Sequence, residues 1–262
     1  MAEVSSISRV GKTEPFFLQV ARGQVAYHKT IFKFGFNPDI DDQIETVWSH
    51  GGLYSYLSNA TQLSISSSSA NDTSNGTGAR TVSIFGLDAN YNEIDEDITL
   101  SGQTAVTSTK SYLRIFRITV RSAGSGGANA GVIYAGTGTV TAGVPANVYA
   151  TVEIGDNQTS MCLWTVPAGY TAFLVGTDVT VATTQSNKYC KVSLVARPFG
   201  EVFQVKDRFL RSEGVLSVRY VTPFRFNEKT DIEYRGIGDS ASADIGMSAG
   251  LDLIYIKNDP LV

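Results

Sequence analysis

Apolar and polar residues alternate along most of this chain, and no window of 11–18 residues carries the i, i+3, i+4, i+7 apolar repeat of a surface helix. Leu63 and Ile65 alternate with serine, Val82 and Ile84 with Thr81 and Ser83, and Ile98 and Leu100 flank Thr99. Val148, Ala150, Val152 and Ile154 share one face of a run whose other face carries Tyr149, Thr151 and Glu153. The same period returns at Cys190, Val192, Leu194 and Ala196, at Leu216, Val218 and Tyr220, and at Leu251, Leu253 and Tyr255. Successive side chains of a strand point to opposite faces, so each run reads as a half-buried strand. Turn-forming residues separate the runs at Ser66–Gly78, Ser122–Asn129, Gly136–Pro145, Pro167–Gly169 and Arg235–Ser242. Many short strands between such turns predict an all-β chain of antiparallel sandwich or jelly-roll type, with helix below ~10% of residues.

The Gly-, Thr- and Pro-rich stretch Gly136–Asn147 is the best candidate boundary, because each side of it is long enough for a small sandwich. The expected organisation is therefore a first β-sandwich at 36–143 and a second, jelly-roll-like one at 144–262, without a repeat relating them. Residues 1–35 read differently. Phe16, Phe17, Leu18, Val20, Val25, Ile31, Phe32 and Phe34, followed by Phe36, lie outside any well-patterned strand, and they predict an arm that packs on another copy or another protein.

Composition narrows the function. The 262 residues are 42% hydrophobic but only 18% charged, and the net charge is −4. A chain without a basic field is a poor nucleic-acid coat. The N-terminus lacks the basic and apolar regions of a secretory signal, and no run approaches ~18 apolar residues, so synthesis in the cytoplasm without a membrane span is expected. Cys162 and Cys190 are too few for a disulfide framework and lack zinc-site spacing; both are expected to be free and packed as small apolar groups. The Asn-x-Thr sequons at Asn59, Asn71, Asn75 and Asn157 read as ordinary loops.

Catalytic chemistry is not nominated. His28 and His50 sit beside neither a GxSxG elbow nor an HExxH helix, and among the many acids no pair stands out as general acid and base. In Asp88–Asp97, Asp88, Asn90 and Asn92 take the first spacings of an EF-hand, but Glu93 replaces the required glycine and Thr99 the bidentate glutamate. A hairpin with side-chain-capped corners is the better reading, and no metal or cofactor is expected. Asn37, Asp39, Asp41 and Asp42 read as a solvated turn.

Charge is unevenly distributed. Asp88, Glu93, Asp95, Glu96 and Asp97 form a block without a base, while Lys110, Arg114, Arg117 and Arg121 form one without an acid. The two either neutralise each other within one subunit or meet across copies, where complementary patches would fix register. Later, Arg208, Arg211, Arg219, Arg225 and Arg235 interleave with Tyr220, Phe224, Phe226 and Tyr234. Nearby acids nearly cancel that charge, so arginine–carboxylate pairing across strands is expected rather than a base-stacking surface.

The runs RTVSIFGLDANYNEIDEDITLSGQTAV (80–106), SYLRIFRITVRSAGSGGANAGVIYAG (111–136), LWTVPAGYTAFL (163–174), RPFGEVFQVKDRFL (197–210), NEKTDIEYR (227–235) and SAGLDLIYI (248–256) carry a resemblance. They resemble a family of tailed-bacteriophage virion structural proteins common in marine phages, over roughly residues 30–260. The resemblance implies a non-enzymatic β-sandwich component of the virion, assembled in several copies as a trimer or ring. A head-decorating or head-attached part is the first expectation. A tail collar, adaptor, nozzle or fibre-attachment subunit is the second. A third is a host-receptor or polysaccharide-binding module in which exposed Trp48, Tyr54 and Tyr56 stack on sugars. Assembly contacts are expected at Phe16, Phe17, Phe32, Phe34, Asp95, Asp97, Arg114, Arg117 and Arg121, with other copies and other virion proteins as partners.

Overall fold

The computed structural model describes residues 8–9, 12–183, 187–240 and 244–258; the first seven residues of the expected arm and the last four of the chain lie outside these. In chain order the strands begin with β1 (Ser8–Arg9), β2 (Lys12–Thr13), β3 (His28–Ile40), β4 (Glu45–Thr46), β5 (Ser64–Ser67), β6 (Ala79–Leu87), β7 (Glu93–Thr99), β8 (Val106–Thr107) and β9 (Arg114–Ala123). They continue with β10 (Ile133–Thr141), β11 (Val144–Val152), β12 (Leu163–Thr165), β13 (Tyr170–Thr183), β14 (Cys190–Arg197), β15 (Gln204–Arg211), β16 (Gly214–Phe226), β17 (Asp231–Gly238) and β18 (Ile245–Lys257). A short helix, α1 (Phe16–Ala21), precedes β3. Strand accounts for 59% and helix for 3%, so the all-β expectation holds. No helix among the described residues is long and apolar enough to cross a membrane.

Beyond the two-residue ladder of β1 and β2, the strands form four small antiparallel sheets. The orders are β16-β13-β18-β3, β12-β17-β14-β15 with β4 on β17, β11-β10-β5-β8, and β7-β6-β9. The first two enclose one core, built on Trp164, Leu174, Leu194, Tyr234 and Leu251. The other two enclose a second, built on Leu63, Ile65, Ile84, Ile118, Ile133 and Val152. Alternation explains the inward faces, and its one lapse has a cause. In β13, inward positions run through Ala172 and Leu174, then continue at Thr177, Val179 and Val181. The register against both neighbours slips between Leu174 and Gly176, so a bulge resets which side chains face in.

Two boundaries and one turn differ from those expected. Position 143 is not a link between units. Ala142 (φ 49°) and Gly143 (φ 82°) form the two-residue corner joining β10 to β11, whose strands pair from Thr141 and Val144 onward. Two left-handed residues in a row give the tight turn whose twist suits a hairpin, and glycine takes that backbone without strain. Residues 28–35 are not an arm, because β3 pairs along its length with β18 and so joins residues 28–40 to the C-terminal sheet. Asn37 lies in that strand rather than in a solvated turn: it is buried and donates from Nδ2 to Glu45 Oε2 at 2.9 Å.

The acidic hairpin forms as expected. Its corner is closed by Asp88, whose Oδ1 accepts the backbone N–H of Asn90 at 2.8 Å and of Asn92 at 2.9 Å. Cys162 and Cys190 are free and buried.

Candidate functional site

The two cores meet at a polar junction, and β17 supplies its centre. Asp231, Glu233 and Arg235 alternate along this strand with Ile232 and Tyr234 of the first core, so one face of β17 is apolar and the other charged. Asp231 is held from three directions. Arg114 of β9 donates from Nε to Oδ1 at 2.8 Å and from Nη2 to Oδ2 at 3.2 Å. Arg197, at the end of β14, donates to Oδ2 from Nε at 3.0 Å and Nη2 at 2.6 Å, and Thr165 donates its hydroxyl to Oδ1 at 2.6 Å. Charged bonds of this fork geometry are strong and fix orientation. Arg114 is buried and also bonds the carbonyl of Leu57, so one guanidinium ties β9, the 57 loop and β17 together.

Glu233, fully buried, accepts from Arg235 Nε and from the Tyr56 hydroxyl at 3.0 Å. Burial pushes its pKa up, against the pull of Arg235 and Tyr56. The two carboxylates are clamped by guanidinium and hydroxyl groups, and Glu233 has no access to solvent. They hold charge in place; neither is poised as an accessible acid or base.

Aromatic rings interleave with the cations. Arg197 lies 4.6 Å from the Tyr56 ring centre and 4.7 Å from that of Phe203, and Arg114 lies 5.0 Å from Tyr56 and 5.6 Å from Tyr91. Beside this ladder opens a cavity of about 660 Å³, walled by Tyr56, Tyr91, Arg114, Arg197, Phe199 and Lys229. Such a volume is typical of small-molecule pockets.

A second buried charge lies on β3. Lys33 points inward, and its ammonium donates to the carbonyl of Phe116 on β9. Burial, helped by the charge of Arg117, lowers its pKa to about 7. Two residues on, Gly35 passes so close to the junction that a Cβ there would stand 2.2 Å from the Val47 carbonyl oxygen and 2.3 Å from the Cys162 nitrogen.

The residues expected at assembly contacts separate into two groups. Phe16, Phe17, Phe32 and Phe34 are indeed exposed. Phe32, Phe34 and Phe36 form one row on the outward face of β3, at 50%, 37% and 45% exposure, with the first two rings stacked 6.3 Å apart. Phe16 of α1 packs edge-on to His28, which begins that row. Four of the five charged residues make side-chain hydrogen bonds within the chain, and Asp95 is engaged through its backbone carbonyl. Arg114 is locked on Asp231, and Arg117 donates from Nη2 to the carbonyl of Phe32 at 3.0 Å. The Ser83 hydroxyl on β6 donates to Asp97 of β7 and accepts from Arg121 Nε of β9 at 2.6 Å. The Asp95 carbonyl takes the Lys110 ammonium. The acidic and basic blocks thus flank β6 in one sheet.

Trp48 and Tyr54 are buried in the second core, which corrects the expectation of an exposed sugar-stacking surface. Of that trio, Tyr56 alone reaches the cavity. Arginine–carboxylate pairing across strands does occur in the C-terminal part, at Arg219–Asp178 and Arg197–Asp231, whereas Arg235 pairs with Glu233 along its own strand. Sequence reading missed the cavity residues Arg197, Phe199 and Lys229 as a group, since no short-range pattern links the end of β14 to the turn before β17, 30 positions on.

No protein-family model matches the chain, and no curated protein does. Among solved structures, the VP2 subviral particle of infectious bursal disease virus overlaps 88% of this chain and 72% of its own, at 10% identity and a TM-score of 0.24. The Gt strain of the same virus overlaps 93% and 78%, at 12% identity and a TM-score of 0.19. Overlaps at these scores carry no argument.

Proposed function

We propose that this chain is a non-enzymatic structural subunit of a tailed-bacteriophage virion, a head-attached component built as two sandwich units and used in several copies. The observation that carries the reading is the phenylalanine row on β3. Three large rings in register on one strand face, half exposed, are more apolar surface than an isolated soluble chain gains from showing. The row is braced from behind. Phe32 leans over Gly250 of β18, where a Cβ would stand 3.0 Å from its Cζ, and Phe36 lies beside Gly246. The rings therefore have a fixed place on the sheet, as a contact surface requires. The family resemblance in the sequence supports the virion setting, and the buried Arg114–Asp231–Arg197 cluster that ties separate strands together suits a part that must not fall apart.

We assign the row to contact with another copy of the chain. Mass measurement of the purified protein across micromolar concentrations tests it, followed by its location in a particle reconstruction. A defined oligomer with the β3 face buried between copies is expected. A monomer at all concentrations would reject self-association, and a ring of more than three copies on the tail would replace the head position by a collar or adaptor role.

A further inference from the structure

The cavity at the junction has a chemistry that the structural role does not use. Its lining carries three cations, Arg114, Arg197 and Lys229, against two carboxylates, Asp231 and Glu201. Asp231 is shared by both arginines, and the Glu201 carboxylate accepts the side-chain amide of Gln204 at 2.8 Å. The result is a net positive recess on a chain whose net charge is −4, a contrast that draws anions to one place.

Two donors face the recess without a protein acceptor. Arg197 spends Nε and Nη2 on Asp231, which leaves Nη1 with no acceptor among the described residues, and its side chain is 28% exposed. Lys229 forms no ion pair among the described residues. Its ammonium instead stands 5.6 Å from the Tyr91 ring centre and 5.0 Å from that of Phe199. The backbone fixes this lysine: it sits at φ 62°, and its N–H donates to the Val166 carbonyl at 2.8 Å. Phe199 is 63% exposed and meets Tyr91 at right angles with ring centres 5.8 Å apart, so much of its ring surface lies open at the mouth beside the ammonium.

A bare anion would use the cations and waste the rings, whereas a neutral sugar would stack on the ring and leave the positive charge uncompensated. A carboxylated sugar uses both. We infer that this cavity binds an acidic saccharide, with a sugar ring stacked on Phe199 and its carboxylate received by Lys229 Nζ and Arg197 Nη1. The site is independent of the phenylalanine row, and it can stand or fall without the assembly role.

Isothermal titration of the full-length protein with trigalacturonate, maltotriose and sodium acetate tests this. Trigalacturonate is expected to bind at least tenfold more tightly than either of the others, and to weaken at least tenfold in Lys229→Gln and in Phe199→Ser. Both side chains are peripheral to the two cores, and an unchanged thermal melt confirms that each variant is folded. Equal binding of maltotriose would remove the cations from the site, and equal binding of acetate would reduce it to a simple anion site. Either result, an absence of trigalacturonate binding, or an affinity indifferent to both substitutions in folded protein, overturns the inference.

Discussion

Strands β3 and β18 are neighbours in one sheet, 13 residues each, paired along most of their length, and patterned in opposite senses. In β18 the inward positions are Met247, Ala249, Leu251, Leu253 and Tyr255, an ordinary apolar face. In β3 the residues paired with the first three of these are Asn37, Gly35 and Lys33, while phenylalanines occupy the outward positions. The difference comes from what each strand faces. β18 lies over the middle of the first core; β3 lies over the seam where the two cores meet, with backbone and polar groups beneath it. A seam needs a slim residue at Gly35, a donor at Lys33 for the Phe116 carbonyl, and an amide at Asn37 for Glu45. Hydrophobicity on β3 is thereby released from the fold and placed outside, on the face proposed for association. The lesson is that alternation locates a strand but does not say which of its faces is the interior.

The sharpest way to break the comparison is to remove the charge that organises the seam. Asp231→Ala leaves the buried Arg114 guanidinium without its carboxylate, and loss of ~3–5 kcal/mol is expected in urea denaturation, the usual effect of orphaning one member of a buried pair. Gly35→Val places atoms against the backbone of Val47 and Cys162, and is expected to cost ~1–3 kcal/mol or more. Phe34→Ala on the adjacent outward position should cost less than ~1 kcal/mol in the same assay on dilute monomer. If the two strand faces responded alike, the assignment of inner and outer would be wrong.

Lys33 sharpens the contrast through pH. Its pKa is about 7 in the folded chain and near 10.4 in an unfolded one, so between these values the unfolded state binds the extra proton. Stability must then rise with pH across that window and fall as pH drops toward 7. Between pH 7.5 and 9.5 the gain is expected to be about 2–3 kcal/mol relative to Lys33→Met, which lacks the group. Comparing the two proteins cancels contributions from Cys190 and from buried tyrosines such as Tyr54, whose raised pKa values act in the opposite direction. Identical pH profiles would place Lys33 in solvent.

A smaller effect is expected from truncation. Removing residues 1–27 takes away α1 and leaves β3 whole, so the melting temperature should move by only a few degrees. A collapse of the fold would mean that α1, through Val20 and Gln19, is part of the core.

Much of this fold was legible in the sequence because strands such as β6, β14 and β18 alternate large apolar residues with polar or small ones. The hairpin at Asp88 was legible from its turn residues. The seam was not. Position 143 looked like a linker because a left-handed hairpin corner and a flexible connection both favour glycine. β3 looked like an arm because its apolar residues point away from the core. The charged blocks were visible, but the partner of Arg114 is Asp231, 117 positions along the chain, and only the fold brings them together. The Tyr56, Phe199 and Lys229 cluster is of the same kind: each residue is unremarkable where it stands, and its chemistry arises from company.

The central claim is that the outward face of β3 is an assembly surface rather than a stray apolar patch. Sedimentation velocity on the intact protein and on the triple variant Phe32→Ser, Phe34→Ser, Phe36→Ser measures it directly. Completing the burial of a half-exposed phenylalanine contributes ~1 kcal/mol, so three on each copy should separate the association constants by a hundredfold or more. The account predicts a concentration-dependent oligomer for the intact chain and a folded monomer, with unchanged thermal melt, for the variant. An intact chain that stays monomeric, or a variant that associates as strongly, would contradict it.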